Sequence, residues 1–175
     1  IGMGWDDRLD IISWANSIIK EDKQAEIVLY GTSMGGSTVL MASGEDLPSN
    51  IKAIISDCAY TSIYDLFDYE VRNYMNSSSF PIIDFLNATT VLRAGYSLKN
   101  ASPIDAVKKS KVPILYFHGD KDSFVPISMM NKLYNATSST KKKVTIKGGE
   151  HANSDLAQPK TYWTSIKNFL KQYVN

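Results

Sequence analysis

The chain has 175 residues, of which 43% are hydrophobic and 21% charged, enough for one domain with a real core and too few for two ordinary ones. A formal net charge of +1 gives no electrostatic footprint for a nucleic-acid partner, and the one dense basic run, Lys141-Lys142-Lys143, reads as a solvated edge just ahead of a strand. The single cysteine, Cys58, excludes an intramolecular disulfide and reads as a small buried side chain. No cysteine–histidine group has metal-site spacing, so neither metal nor cofactor is expected, and no apolar stretch nears the roughly 18–20 residues of a membrane span.

In chain order, residues 6–20 carry Leu9, Ile12, Ala15 and Ile19 at steps of three and four, which predicts an amphipathic helix with a wide apolar face. Residues 27–30 form a short apolar run that reads as a buried strand. Residues 37–43 read as a helix, which Gly44 is placed to end. A second strand is expected over 51–56, closing on Asp57. Residues 60–100 then break the rhythm with eight aromatic residues and two helical stretches, 62–75 and 82–94, separated by Pro81. They read as an insertion, a cap or lid after the second strand. A short helix (103–110), a strand (113–117), a helix (127–135), a strand (143–147) and a final amphipathic helix (158–173) complete the chain.

Strands alternating with helices predict a three-layer α/β/α architecture around a mostly parallel sheet of about four strands. The whole chain is expected to be one domain.

The chemistry concentrates around Gly31-Thr32-Ser33-Met34-Gly35. Gly-x-Ser-x-Gly arises by composition alone about one time in twenty in a chain this long. Its setting is more selective: an apolar strand enters and a helix of small residues leaves, the strand–turn–helix of a nucleophile elbow. A side chain at Gly31 or Gly35 is expected to clash with the neighbouring strand or helix, and the serine to sit in a strained backbone conformation. The turn would lift the Ser33 hydroxyl above the carboxyl end of the sheet and direct the helix N-terminus, with its backbone N–H groups, at a developing oxyanion. A phosphate loop is the competing reading of such glycines, but no lysine follows and there is no GxGxxG.

A serine nucleophile needs a base, and the base an orienting acid. The chain offers two histidines, His118 and His151, both at strand ends. The order Ser–acid–His selects His151 and leaves His118 as a brace for the acid loop. Asp120 and Asp122 share the correct loop, and Asp57 follows the preceding strand, a rarer place for the acid. Asp122 lies further from the strand end and within better reach of His151, with Asp120 left to shape the turn. Glu150 reads as a solvated loop residue.

GTSMG, HGDKDSFVP and GGEHANS, in that order and spacing, resemble the α/β-hydrolase superfamily along essentially the whole chain. The stretch IGMGWDDRLDIISWAN resembles a bacterial group of cell-surface or peptidase-like serine hydrolases. The resemblance places the acid in GxxDxxVP, here Gly119, Asp122, Val125 and Pro126, and the base in GxxHxxS, here Gly148 or Gly149, His151 and Ser154. It implies an eight-stranded sheet, of which the strands here resemble the fifth to the eighth. The resemblance also implies an oxyanion hole of two backbone N–H groups, one from Met34 and one from a loop after the third strand, so the chain is expected to be the C-terminal portion of a longer protein with that loop lying upstream.

Three expectations follow. The parent is a serine hydrolase acting on an ester, thioester or amide of a small molecule or peptide through an acyl-enzyme, while the piece alone is weakly active or inactive. A non-catalytic surface protein and an acyltransferase are the alternatives. The edge at residues 27–30 needs a partner strand or self-association. Location stays open between the cytoplasm, which the absence of disulfides fits, and a cell surface reached through an N-terminal anchor, which the resemblance implies. Scarce arginine with plentiful lysine, asparagine and tyrosine points to a low-GC bacterium, which discounts the Asn-x-Ser/Thr sites at Asn76, Asn87, Asn100 and Asn135.

Overall fold

The computed structural model describes residues 2–174. It holds four strands, β1 (Ile27–Thr32), β2 (Ile51–Asp57), β3 (Ile114–Gly119) and β4 (Lys141–Ile146), hydrogen-bonded in that order and all parallel. Between and around them run α1 (Asp7–Glu21), α2 (Met34–Ala42), α3 (Ile63–Met75), α4 (Ile82–Ala94), α5 (Pro103–Val107), α6 (Ile127–Ala136), α7 (Ser154–Ala157) and α8 (Pro159–Leu170).

Topology dictates the layering. Sequential parallel neighbours joined by right-handed crossovers place every crossover helix on one face of the sheet. There α1, α2 and α6 cover Leu29, Ile54, Ile114 and Tyr116, with Ala15, Val39, Leu40, Met130 and Leu133 completing one core. The opposite face, reached by the alternate residues Ala53, Ile55, Leu115, Phe117 and Ile146, is covered by Tyr162, Ile166 and Phe169 of α8. Strands buried on both faces need near-continuous apolar runs, and β2 and β3 are such runs.

Two boundary differences bear on the site and on the sheet edge. α2 begins at Met34, not Ser37, because the glycines that look like a loop are the first turn of the helix. β4 begins at Lys141, so the lysine run lies inside the strand and not ahead of it. It does line an edge: β4 ends the sheet, and charged side chains there discourage further pairing.

The other edge, β1, has no such protection. Trp14 is 72% exposed and Ile18 and Tyr30 about half exposed, so an apolar groove lies open between α1 and the strand. The wide apolar face expected of α1 is accordingly only part covered, with Ala15 its one fully buried residue.

Residues 60–100 build a second core. Tyr60, Ile63, Leu66, Ile83, Tyr96 and Leu98 pack with Met41, Val125 and Met129 of the main body. Ser62 caps α3 by accepting the Asp65 N–H at 2.9 Å. Five of the eight aromatic residues, with Tyr64, Phe67 and Tyr69 packed against the buried Tyr60 and Tyr96, are thus ordinary packing. Tyr74, Phe80 and Phe85, each more than 70% exposed, are not.

Candidate active site

All four strands point their carboxyl ends at one place. The residues that follow them are Ser33 after β1, Asp57 and Cys58 after β2, Asp122 after β3 and His151 after β4.

Ser33 sits at φ 55°, ψ −117°, a conformation side chains rarely adopt, and it directly precedes α2. The turn is tight enough that a Cβ on Gly31 would lie 2.2 Å from the Gly35 carbonyl oxygen. The expectation for Gly35 itself is corrected: a Cβ there meets nothing within 4 Å. The second glycine the turn requires is Gly36, where a Cβ would lie 2.7 Å from the Asp57 carbonyl oxygen. Gly31 brings the strand close to the helix, and Gly36 brings the helix close to the end of β2.

Ser33 Oγ lies 2.7 Å from His151 Nε2, and His151 Nδ1 lies 2.8 Å from Asp122 Oδ2. A carboxylate only accepts, so the imidazole carries its proton on Nδ1, donates to Asp122 and leaves Nε2 free to accept from the serine hydroxyl. Asp122 is fixed in turn: Oδ1 accepts the N–H groups of Phe124 at 3.0 Å and Val125 at 2.8 Å. Burial alone would raise its pKa. The hydrogen bonds from His118, His151 and the Val125 N–H outweigh that and hold the carboxyl well below the usual range. The three residues expected to work together, Ser33, His151 and Asp122, therefore lie in one hydrogen-bonded chain.

Met34, the proposed oxyanion donor, is the first residue of α2, where no intrahelical acceptor exists for its N–H. The neighbours have other tasks. Asp120 accepts the Gly148 N–H at 2.6 Å, so it does not merely shape its own turn but ties the acid loop to the histidine loop. Asp57 does not touch His151. It accepts the Ser154 hydroxyl at 2.8 Å, and desolvation raises its pKa despite hydrogen bonds from Ser154 and Tyr162. Glu150 is exposed, as expected.

Cys58 is fully buried, and burial, reinforced by Asp57, pushes its thiol up to about 12. Among the described residues, Cys58, Asp122 and His151 have ligand-like spacing. With the imidazole and carboxylate bound to each other and the thiol protonated, that trio is not a ready metal centre.

Two contacts escaped the sequence reading. Phe124 packs its ring edge against the His151 imidazole, centroids 4.9 Å apart at 67°. Glu70, on α3, sits where burial raises its carboxyl pKa and the Asp122 charge raises it further, so α3 reaches the electrostatic neighbourhood of the site. An aromatic two residues after the acid was a usable signal for the first. Nothing local announces the second.

A parallel sheet with a strained serine elbow, an acid loop and a histidine loop at its carboxyl edge defines an α/β-hydrolase. Within that class the chain belongs to the prolyl oligopeptidase family, whose model matches residues 3–175. Similar curated proteins include the uncharacterized Bacillus subtilis protein YqkD, 27% identical over 151 residues, covering 86% of this chain and 50% of that one. Another is the Arabidopsis thaliana α/β hydrolase domain-containing protein WAV2, 26% identical over 155 residues, covering 85% and 48%. The chain spans about half the length of these relatives. Among solved structures, Pyrococcus horikoshii acylaminoacyl peptidase superposes with TM-score 0.73 at 18% identity, covering 98% of this chain and 28% of that one. The Pyrococcus furiosus esterase Pf2001 superposes equally well, TM-score 0.73 at 15% identity, covering 98% and 63%. At these identities the superpositions show the fold. Family and fold together support hydrolase function of the serine type.

Proposed function

We propose that Ser33, His151 and Asp122 form the catalytic triad of a serine hydrolase that cleaves an ester, thioester or amide through an acyl-enzyme. The observation that carries this reading is the unbroken hydrogen-bonded chain from Ser33 Oγ through both ring nitrogens of His151 to Asp122.

In this mechanism Ser33 Oγ attacks the substrate carbonyl carbon while its proton passes to His151 Nε2. Asp122 stabilises the imidazolium, and the Met34 N–H receives the oxyanion. His151 then protonates the departing oxygen, sulfur or nitrogen as the acyl–leaving-group bond breaks. Water, deprotonated by the same imidazole, releases the acid and restores the serine hydroxyl. The chain's structural neighbours include a peptidase and an esterase, which supports leaving the leaving group open between those classes.

The α3–α4 pair is proposed as a cap beside this site, and the open β1 edge as a surface that pairs with a further strand or a second copy. A fluorophosphonate probe tests the catalytic reading: the protein is labelled covalently and the Ser33→Ala variant is not.

A further inference from the structure

His118 does more than brace a loop. It ends β3 with its side chain fully buried. Its Nε2 lies 2.7 Å from the Val125 carbonyl oxygen and 3.3 Å from Asp122 Oδ2, the same oxygen that His151 Nδ1 contacts at 2.8 Å. Both neighbours of Nε2 only accept, so that nitrogen carries the proton, donates it to the Val125 carbonyl and keeps its positive N–H end within 3.3 Å of Asp122 Oδ2. His118 Nδ1 is buried and has no hydrogen-bond partner among the described residues, so nothing on that side of the ring calls for a proton there.

We propose that His118 is a positioning residue for the reaction, holding Asp122 from behind and setting how strongly its Oδ2 accepts from His151. The proposal rests on the triad reading. Two rings compete for one carboxylate oxygen, His151 from the solvent side and His118 from the core. The backbone N–H groups of Phe124 and Val125 occupy the other oxygen, so Asp122 has no unengaged oxygen to turn towards His151. The His118 bond to the Val125 carbonyl fixes the same residue whose N–H holds Oδ1, so one imidazole anchors both ends of the acid's cage.

The charges facing these rings are few. Asp122 faces both, Asp57 at the end of β2 acts on His118, and Glu70 from α3 acts on His151. Removing the His118 donor leaves Oδ2 to His151 alone. The imidazolium form of His151 gains, and the acid limb of the activity profile moves to higher pH. A brace with no electrostatic part would lower activity and leave that limb in place.

Three measurements on the full chain test this. In the unaltered protein, histidine 15N spectra should show His118 protonated on Nε2 and bare on Nδ1; the opposite tautomer overturns the proposal and needs no variant to fold. In His118→Phe, the second-order rate of fluorophosphonate labelling should fall on the order of tenfold. Its acid limb should move upward, and the downfield His151 Nδ1 proton should shift further downfield. His118→Gln, which keeps a donor in reach of Val125 and Asp122, should restore the limb and most of the rate. A reduced rate with limb and proton unmoved makes His118 a structural brace and overturns the proposal. If the unaltered protein does not label, the catalytic reading fails, while the tautomer and the downfield proton still decide whether His118 competes for Asp122.

Discussion

At the scale of single residues, the site is held by contacts too close to tolerate substitution beside others that tolerate it freely. Gly31→Ala drives a Cβ into the Gly35 backbone and should destabilise the protein by about 3 kcal/mol. Gly35→Ala meets open space inside a helix and should be neutral or stabilising by up to about 1 kcal/mol. Urea denaturation of the pair distinguishes the two, although the sequence pattern treats both glycines alike. The carboxylates differ in sign as well. Asp122 has a depressed pKa, so its charge contributes stability above the unfolded value near 3.9, and that contribution is lost as pH falls through the native value. Asp57 has a raised pKa: at neutral pH its buried charge opposes folding, and the native state takes up the proton before the unfolded chain does. Stability of the protein relative to Asp57→Asn should therefore rise as pH falls from neutrality towards the unfolded carboxyl value near 3.9, as measured by denaturation midpoints. A relative stability that falls over that window contradicts the account of Asp57.

At the scale of elements, the alternation of apolar runs and helical periodicity was enough to find every strand and every long helix. It failed where local chemistry and tertiary context disagree. Lys141-Lys142-Lys143 looks like a loop, yet an edge strand needs only one covered face and gains solubility from charge on the other. Gly35 and Gly36 look like a turn, yet they begin a helix whose packing against β1 and β2 outweighs their low propensity. The β1 edge carries no charge to keep a neighbour away. We expect the protein to self-associate through the groove between α1 and β1, with concentration-dependent sedimentation at about 100 µM. Trp14→Glu, a change at a 72% exposed position, should abolish that association without lowering stability. A monomeric unaltered chain at that concentration contradicts self-association.

At the scale of the whole molecule, the sheet brings together four loops separated by up to 118 residues between Ser33 and His151. The residue types and their order were legible because acyl transfer needs a nucleophile, a base and an acid, and a parallel sheet delivers successive strand ends to one edge. What stayed hidden depends on side chains that meet only after folding. Phe124 against His151, Ser154 on Asp57 and Asp120 on Gly148 are each set by the approach of separate loops. The approach itself rests on close backbone contact: a Cβ on Gly119 would lie 2.2 Å from the Gly149 carbonyl oxygen, where the acid and histidine loops touch.

The central claim is that these loops form a working triad on Ser33. Its most direct test is mass-spectrometric mapping of the fluorophosphonate adduct, with the labelling rate compared between the unaltered protein and Asp122→Asn. The account predicts a single adduct on Ser33 and a rate lower by about 10⁴ in the variant, because the amide no longer holds His151 in the tautomer that accepts the serine proton. An adduct on another residue, or equal rates in the two proteins, contradicts it.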